Sequence, residues 1–438
     1  MVTPHRAARC LDAAGRPGGI PPFSNVVVWS LSERIVPVGL SVGQFNDSYR
    51  PIMDGVGVCM ENYAHWIHRR HGTAVVVAPE APGYTDTAEY DVLRFHAVEL
   101  PQMKPFRAGL PWIDPDFMRQ LQARHFDVVH AHCPFVSGRL AQGAAKRRGI
   151  PLVATFHSKY RDDFLKVTGS PTLADVGIRY VVNFYQKATQ VWAPNRATAQ
   201  TLKQYGYKGG IEVIPNGTDL EAPTAAERTD LAERGRVLGG IPSPDVPVYL
   251  FVGQHRWEKN VELIIRTLGF MKKRGARFRM VFAGTGYAER AMKRLCRSVG
   301  IAEETVFLGL VLERERLKEL YAAATLLLFP SLYDNAPLVM REAAAFQVPT
   351  VLIRGASAAE GVTDRESGFL VENSVESLAA ALQGAALDQD LTSKVGQGAL
   401  RDIYLHWRDV VAEVYARYED LLSTTSGRSV LVNRSSEE

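Results

Sequence analysis

Residues Pro330 to Pro349 read PSLYDNAPLVMREAAAFQVP, and the apolar run TLLLF (Thr325 to Phe329) leads directly into them. A short apolar run halted by proline predicts a buried strand ending at Phe329. A polar loop follows, and the spacing predicts a helix from near Pro337. Proline suits a first helical position, because the N–H it lacks would have no intrahelical partner there. The amides of Leu338 and Val339 then project from the helix start, where they and the macrodipole favour an anion such as a diphosphate. Asp334 precedes this helix and Glu342 lies in its second turn. At about 1.5 Å of rise per helical residue, the two carboxylates stand at different depths beside an elongated ligand. Both accept hydrogen bonds only, which suits neighbouring hydroxyls. The competing reading of the same residues is a strand, an Asp-capped loop and an ordinary amphipathic helix. The rest of the chain decides between them.

Before this stretch, VPVYLFVG, FRMVFAG and TVFLG read as strands, separated by the helices VELIIRTLGFMKK, AERAMKRLCRSVG and RERLKELYAAA. The first half repeats the pattern: VPVGLSVGQF, TAVVVAP, YDVLRF, FDVVHAH and PLVATF alternate with segments such as ENYAHWIHRR and VSGRLAQGAAKRR. Continuous apolar strands alternating with helices predict parallel sheets covered on both faces. The expected fold class is therefore α/β, with two doubly wound, Rossmann-like parallel sheets.

A chain of 438 residues exceeds one ordinary core. We expect a disordered extension over 1–35, a first domain over 36–219, a linker over 220–247 and a second domain over 248–403. A helix over 404–422 carries Tyr404, Trp407, Val411, Val414, Tyr415 and Tyr418 on one face and is expected to pack across both domains, ahead of a disordered tail over 423–438.

Hydrophobic content of 46% with 22% charged residues fits a soluble globular protein. A net charge of only +4 argues against a dedicated nucleic-acid binder. Cys10, Cys59, Cys133 and Cys296 are scattered without a CxxC, as reduced thiols of a cytoplasmic protein would be. No apolar run approaches the ~18 residues needed to span a bilayer, and no secretory signal is evident.

Ligands of doubly wound sheets bind where strands end. Gly55, in the loop after the first strand, lets backbone approach a ligand closely. The absence of GxGxxG there argues against a dinucleotide enzyme. His157 follows PLVATF directly. His130 and His132 share a strand face, but without a third ligand at zinc-like spacing they read as structural or substrate-lining, and no metal site is expected. The triplets Asp114–Asp116 and Asp388–Asp390 follow no strand and do not read as a Mg²⁺ or Mn²⁺ site. In GQHRWEKN (Gly253 to Asn260), Lys259 and Arg256 present cations suited to a diphosphate. Met103, Phe106, Leu110 and Trp112 beside Lys104 and Arg107, together with Lys159–Lys187, form basic-aromatic stretches. A membrane-facing surface is one reading of them and ordinary helix packing the favoured one.

In order and spacing, FNDSYRPIMDGV, FDVVHAHCPF, ATFHSKY, VIPNGTD, GQHRWEKN, VFLG, PSLYDNAPLVMREAAA and SGFLVE resemble glycosyltransferase family 4. These are retaining nucleotide-sugar enzymes with the GT-B fold, two such domains facing a cleft. The resemblance is greatest to bacterial members of the diacylglycerol glucosyltransferase type. It implies transfer of a hexose, glucose first, from a nucleoside diphosphate sugar such as UDP-glucose to an acceptor hydroxyl. A lipid or glycolipid acceptor would place the protein at the inner face of the cell membrane as a peripheral protein. No cofactor or metal is implied.

Carried onto this chain, the resemblance gives Glu342 the nucleotide ribose and Asp334 the transferred hexose. Lys259 and Gly55 face the donor diphosphate, His157 lies near the transferred sugar, and the backbone of Phe307, Leu308 and Gly309 receives the base. This chain departs from the family pattern at three places. Gln254 stands where an arginine is usual, leaving Arg256 to substitute; Asp334 replaces a glutamate; and Pro337 replaces a glycine, removing an N–H. Gln254 and Asp334 keep one rival in view, a catalytically silent sugar-nucleotide binder, and the shared architecture keeps a second, an epimerase.

Overall fold

The computed structural model describes residues 39–99, 106–241, 243 and 245–434. The expected extension over 1–35, together with Cys10, Met103 and Lys104, lies outside the described residues.

The first lobe is built on β1 (Ser41–Phe45), β2 (Thr73–Pro79), β3 (Asp91–Phe95), β6 (Val128–Ala131), β7 (Leu152–Thr155), β8 (Gln190–Ala193) and β9 (Glu212–Val213). All are parallel, in the order β3-β2-β1-β6-β7-β8-β9, while β4 (Ala97–Glu99) and β5 (Arg107–Gly109) form a small antiparallel pair. Helices α1 (Gly55–Arg70), α2 (Pro115–Ala123), α3 (Val136–Arg148), α4 (Tyr160–Thr168), α5 (Pro171–Tyr185) and α6 (Arg196–Gln204) connect the strands. Their starts follow local chemistry. Asp54 accepts from the amides of Val56 and Gly57, Asp114 caps α2 ahead of Pro115, and Ser170 caps α5 ahead of Pro171. The Asp114 triplet is thus a helix cap.

The second lobe repeats the plan. It contains α7 (Ala225–Leu238), β10 (Val248–Val252), α8 (Val261–Lys272), β11 (Arg279–Ala283), α9 (Glu289–Val299), β12 (Thr305–Gly309), α10 (Arg314–Ala323), β13 (Leu326–Leu328), α11 (Leu338–Ala345), β14 (Thr350–Ile353), β15 (Phe369–Val371), α12 (Val375–Leu387) and α13 (Gln389–Asp402). Its six parallel strands run β12-β11-β10-β13-β14-β15. In both sheets the order reverses beside the first strand, which opens a crevice at the strand ends. Gly253 and Pro330 flank the crevice of the second lobe, and Asp47 and His132 flank that of the first. Backbones crowd there: a Cβ on Gly284, at φ 136°, would stand 2.0 Å from the Gly253 carbonyl oxygen.

Alternate strand residues face opposite cores. In the first lobe Phe45, Val77 and Val129 pack on one side, and Val42, Val76, Val128 and Trp192 on the other. The latter core is completed by α14 (Trp407–Arg434), whose Trp407, Val411, Val414 and Tyr418 are buried there. The C-terminal helix therefore returns to the first lobe and lies against α1. It also continues to Arg434, through most of the tail expected to be disordered. The stretch 220–247, read as a linker, contains α7, which packs against α10 and starts with a reciprocal capping box between Thr224 and Glu227. Its even spread of charge conceals any apolar stripe. No helix among the described residues is long and apolar enough to cross a membrane. Cys59, Cys133 and Cys296 are buried free thiols.

Candidate active site

The loop after β13 gathers much of the predicted chemistry. Lys259 Nζ lies 2.6 Å from Asp334 Oδ1, and the Ser331 hydroxyl donates to Asp334 Oδ2 at 2.6 Å. Lys259 ends a short helical turn, and Asn260 follows at φ 57°, a left-handed conformation that asparagine tolerates. The Asn260 amide is anchored on the Pro330 carbonyl, so the two loops are tied together. Helix α11 starts at Leu338, one residue later than expected. Pro337 sits outside it as the N-cap, with ψ 131° and no side-chain capping bond. The first amides of α11 thus lack an intrahelical partner, as at any helix start.

The first lobe grips this loop. Asn335 donates to the His157 carbonyl at 2.7 Å, Asn195 to the Asn335 carbonyl at 2.8 Å, and Asn216 to the Ala336 carbonyl at 3.0 Å. Tyr333 donates to Asp163 at 2.7 Å, and Lys166 pairs with Glu258 at 3.1 Å. Sequence reasoning missed these residues, because their partners lie across the cleft and more than a hundred positions away in most cases. Arg256 makes long contacts of 3.4 Å to Glu258 and Gln254 and stands over the Tyr333 ring. Burial pushes the Glu258 carboxyl up, but the Tyr287 hydroxyl, Lys166 and Arg256 outweigh it and hold it down at about 2.

Glu342 lies deeper. Its side chain is buried in α11, where Arg314 donates twice to Oε1 at 3.2 Å and Tyr321 donates to Oε2 at 2.6 Å. Arg314 also pairs with Asp219. A carboxylate offers about four lone-pair sites, so three donors leave about one for a ligand. Burial raises the Glu342 carboxyl above its ordinary value, with Arg314 pulling the other way. Arg314 and Tyr321 were not singled out in the sequence, where RERLKELYAAA looks like a solvated helix.

Gly55 begins α1 with open space above it: a Cβ there would meet nothing within 4 Å. Among the described residues strand β12 is the edge of its sheet, so the outer backbone of Phe307 and Leu308 has no strand neighbour there, while the Gly309 carbonyl accepts from Gly284. The Phe307 ring stacks on Phe282.

His157 faces His132, with 3.2 Å between Nε2 and Nδ1. Behind it His132 Nε2 meets the Gln44 carbonyl oxygen at 2.7 Å, and His130 lies between the Tyr418 and Thr155 hydroxyls. Burial holds His130 and His132 well below the ordinary histidine value and His157 at about 4. All three are neutral at pH 7. Unfolded histidines take up protons below about pH 6.5 and the buried ones do not, so stability is complete above that pH and falls toward pH 4. His130 and His132 should each contribute a slope of up to about 1.4 kcal/mol per pH unit. Urea unfolding at pH 7, 6 and 5 tests this, and equal stabilities would contradict it.

The first lobe also holds a cavity of about 200 Å³ lined by Asp47, Tyr49, Ile52, Pro79, Glu80, Arg94 and Arg107 among others. Of its two arginines Arg94 is the more fully engaged, while the Arg107 Nε has no hydrogen-bond partner among the described residues. Arg94 binds Asp86 and the carbonyls of Pro79 and Arg50, and Arg107 binds the Ala97 carbonyl. Burial raises the Asp47 carboxyl.

The family model described as Glycosyltransferase Family 4 matches residues 53–222, and that described as Glycosyl transferases group 1 matches residues 241–402. The chain belongs to glycosyltransferase family 4, with the GT-B fold. It is 26% identical to a D-inositol 3-phosphate glycosyltransferase of Acidothermus cellulolyticus, over 97% of this chain and 90% of that one. It is 20% identical to an alpha-monoglucosyldiacylglycerol synthase of Streptococcus pneumoniae, over 71% and 70%. The crystal structure of Anabaena Alr3699/HepE in complex with UDP and glucose superposes with a TM-score of 0.67 at 18% identity, covering 87% of this chain and 99% of that one.

Proposed function

We propose that the protein transfers a hexose from a nucleoside diphosphate sugar to an acceptor hydroxyl with retention at the anomeric carbon. The observation that carries this reading is the Lys259–Asp334 pair beside the uncapped start of α11. An arriving diphosphate gives Lys259 a second anion to neutralise, and the amides of Leu338 and Val339 supply fixed partial positive charge where the leaving group gathers negative charge. Asp334, drawn off Lys259, is left to accept from hexose hydroxyls, and Glu342 to accept one from the ribose. The bond from the anomeric carbon to the phosphate oxygen breaks, and the acceptor oxygen bonds on the same face. The acceptor proton passes to the departing phosphate oxygen. A neutral His157 orients the sugar and is not needed as a base. No metal takes part.

UDP and glucose are the leading donor components, a choice supported by the resemblance and by the ligands of the Anabaena neighbour. The resemblance to diacylglycerol glucosyltransferase-type members favours a diacylglycerol-type acceptor, with a phosphorylated polyol as the alternative; Arg107, whose Nε has no hydrogen-bond partner among the described residues, leaves the cavity beside Asp47 open to either. Exposed apolar residues give such a lipid a landing surface: Phe106, Trp112 and Ile113, and Leu173, Val176 and Tyr180 along one face of α5.

The test is a panel of UDP-, GDP- and ADP-sugars read by thermal shift and by sugar release, followed by transfer to diacylglycerol in anionic vesicles or to inositol phosphate. UDP-glucose should raise the melting temperature, and the product on diacylglycerol should keep the α-configuration of the donor. An inverted product overturns the mechanism. Binding without sugar release identifies a silent binder, and an altered sugar still on its nucleotide identifies an epimerase.

A further inference from the structure

The His130–His132 motif lacked a third ligand in the sequence, and the fold instead brings His132 together with two donors from elsewhere in the chain. The Cys59 sulfur, on the buried face of α1, and one nitrogen each of His132 and His157 lie within 4.8 Å of one another. His130 takes no part, being held by Tyr418 and Thr155. We propose that Cys59, His132 and His157 form a binding site for a soft divalent cation of the Zn²⁺ class.

Three observations support it. Thiolate and imidazole are the donor set that Zn²⁺ prefers, and three protein ligands with an open fourth position is a known arrangement for it. Gln44 accepts from His132 Nε2, which assigns the proton to that nitrogen and leaves Nδ1 bare toward His157. A hydrogen bond to the far nitrogen is how metal-binding histidines are commonly oriented. Finally, Cys59 makes no hydrogen bond among the described residues that would compete for its sulfur. Around a tetrahedral ion, ligand atoms stand roughly 3.3–3.7 Å apart, so closing on the ion requires shifts of about an ångström. On binding, the Cys59 thiol gives its proton to solvent, the proton that His157 Nε2 shares with the bare His132 Nδ1 passes through solvent exchange to His157 Nδ1, and the His157–His132 contact is replaced by two bonds to the ion. His157 is the least buried of the three residues. The cation is not a cofactor for transfer. It takes a nitrogen of His157 that the reading above places near the sugar, and occupancy would inhibit.

The experiment is a Co²⁺ titration of the full chain carrying Cys10→Ser, which removes the one thiol outside the described residues. Binding of one Co²⁺ per chain with a thiolate charge-transfer band in the near ultraviolet is expected. Cys59→Ser and Cys59→Ala should abolish that band, Cys296→Ser should keep it, and Gln44→Ala should weaken binding about 10- to 100-fold. A band that survives Cys59→Ser overturns the site, as does a parent protein that shows none. Circular dichroism of each variant shows whether a lost band reflects a lost fold, and Cys59→Ala, which fills the space with a small apolar group, guards against that outcome. The readout uses no sugar, so its failure leaves the proposed transfer standing, and the reverse also holds.

Discussion

Lys259→Ala is expected to lower sugar transfer by two to three orders of magnitude, the usual loss when one preorganised stabiliser of leaving-group charge is removed. The ammonium stands at 17% side-chain exposure, with Asp334 at 2.6 Å and the Phe329 ring beneath it at 5.3 Å. In that partly dry setting a positive charge counts for more than it would in water. The loss should fall on kcat more than on KM, because the charge on the diphosphate grows as the sugar departs. Gln254 makes the position more critical, since no arginine stands there to share the load. Lys259→Arg should recover only part of the rate, since a planar fork does not reproduce a compact ammonium. Folding should survive: Asp334 keeps the Ser331 hydroxyl, so the expected destabilisation is only about 1–2 kcal/mol. Steady-state rates and a melting curve on the same sample test both halves. Transfer within a few-fold of the parent would remove Lys259 from the mechanism.

The second large effect is on stability. Glu342→Ala should destabilise the protein by about 3 kcal/mol, the lower part of the range for stripping one partner from a buried ion pair. The alanine leaves the Tyr321 hydroxyl and one side of the Arg314 guanidinium without acceptors, although Asp219 still meets Arg314. Glu342→Gln keeps an acceptor for Tyr321 and should lose about half as much, so it is the variant in which donor binding can be read. Urea midpoints separate the cases, and an unchanged midpoint for Glu342→Ala would deny the network any role in stability.

What could be read beforehand and what could not divide along a physical line. The strands TAVVVAP, PLVATF and TLLLF announce themselves because both faces of each sheet are covered. The capped starts at Asp54, Asp114 and Ser170 are equally local. The pairing of Lys259 with Asp334 is not local. Each residue reads separately as a donor contact, and only the crevice between β10 and β13 makes them partners. Arg314 and Tyr321 were hidden by a helix whose charges look solvated. The asparagines at 195, 216 and 335 resemble any turn asparagine until the lobes are set face to face. Cys59 looked inert for the same reason, since the histidines it approaches lie more than seventy residues downstream. Helix α7 is a different case: its T-x-x-E capping box is legible at Thr224 and Glu227, and a polar composition distracted from it.

The return of α14 to the first lobe orders events during synthesis. The sheet made first has one flank covered only by α1 until Trp407 and Tyr418 emerge, roughly 190 residues after β9. At ~5–20 residues per second, translation takes on the order of 10–40 s to cross that gap. Throughout it Trp192 and Tyr63 lack their lid, while the downstream lobe is already free to close on itself. The half that leaves the ribosome first is therefore the half that finishes last.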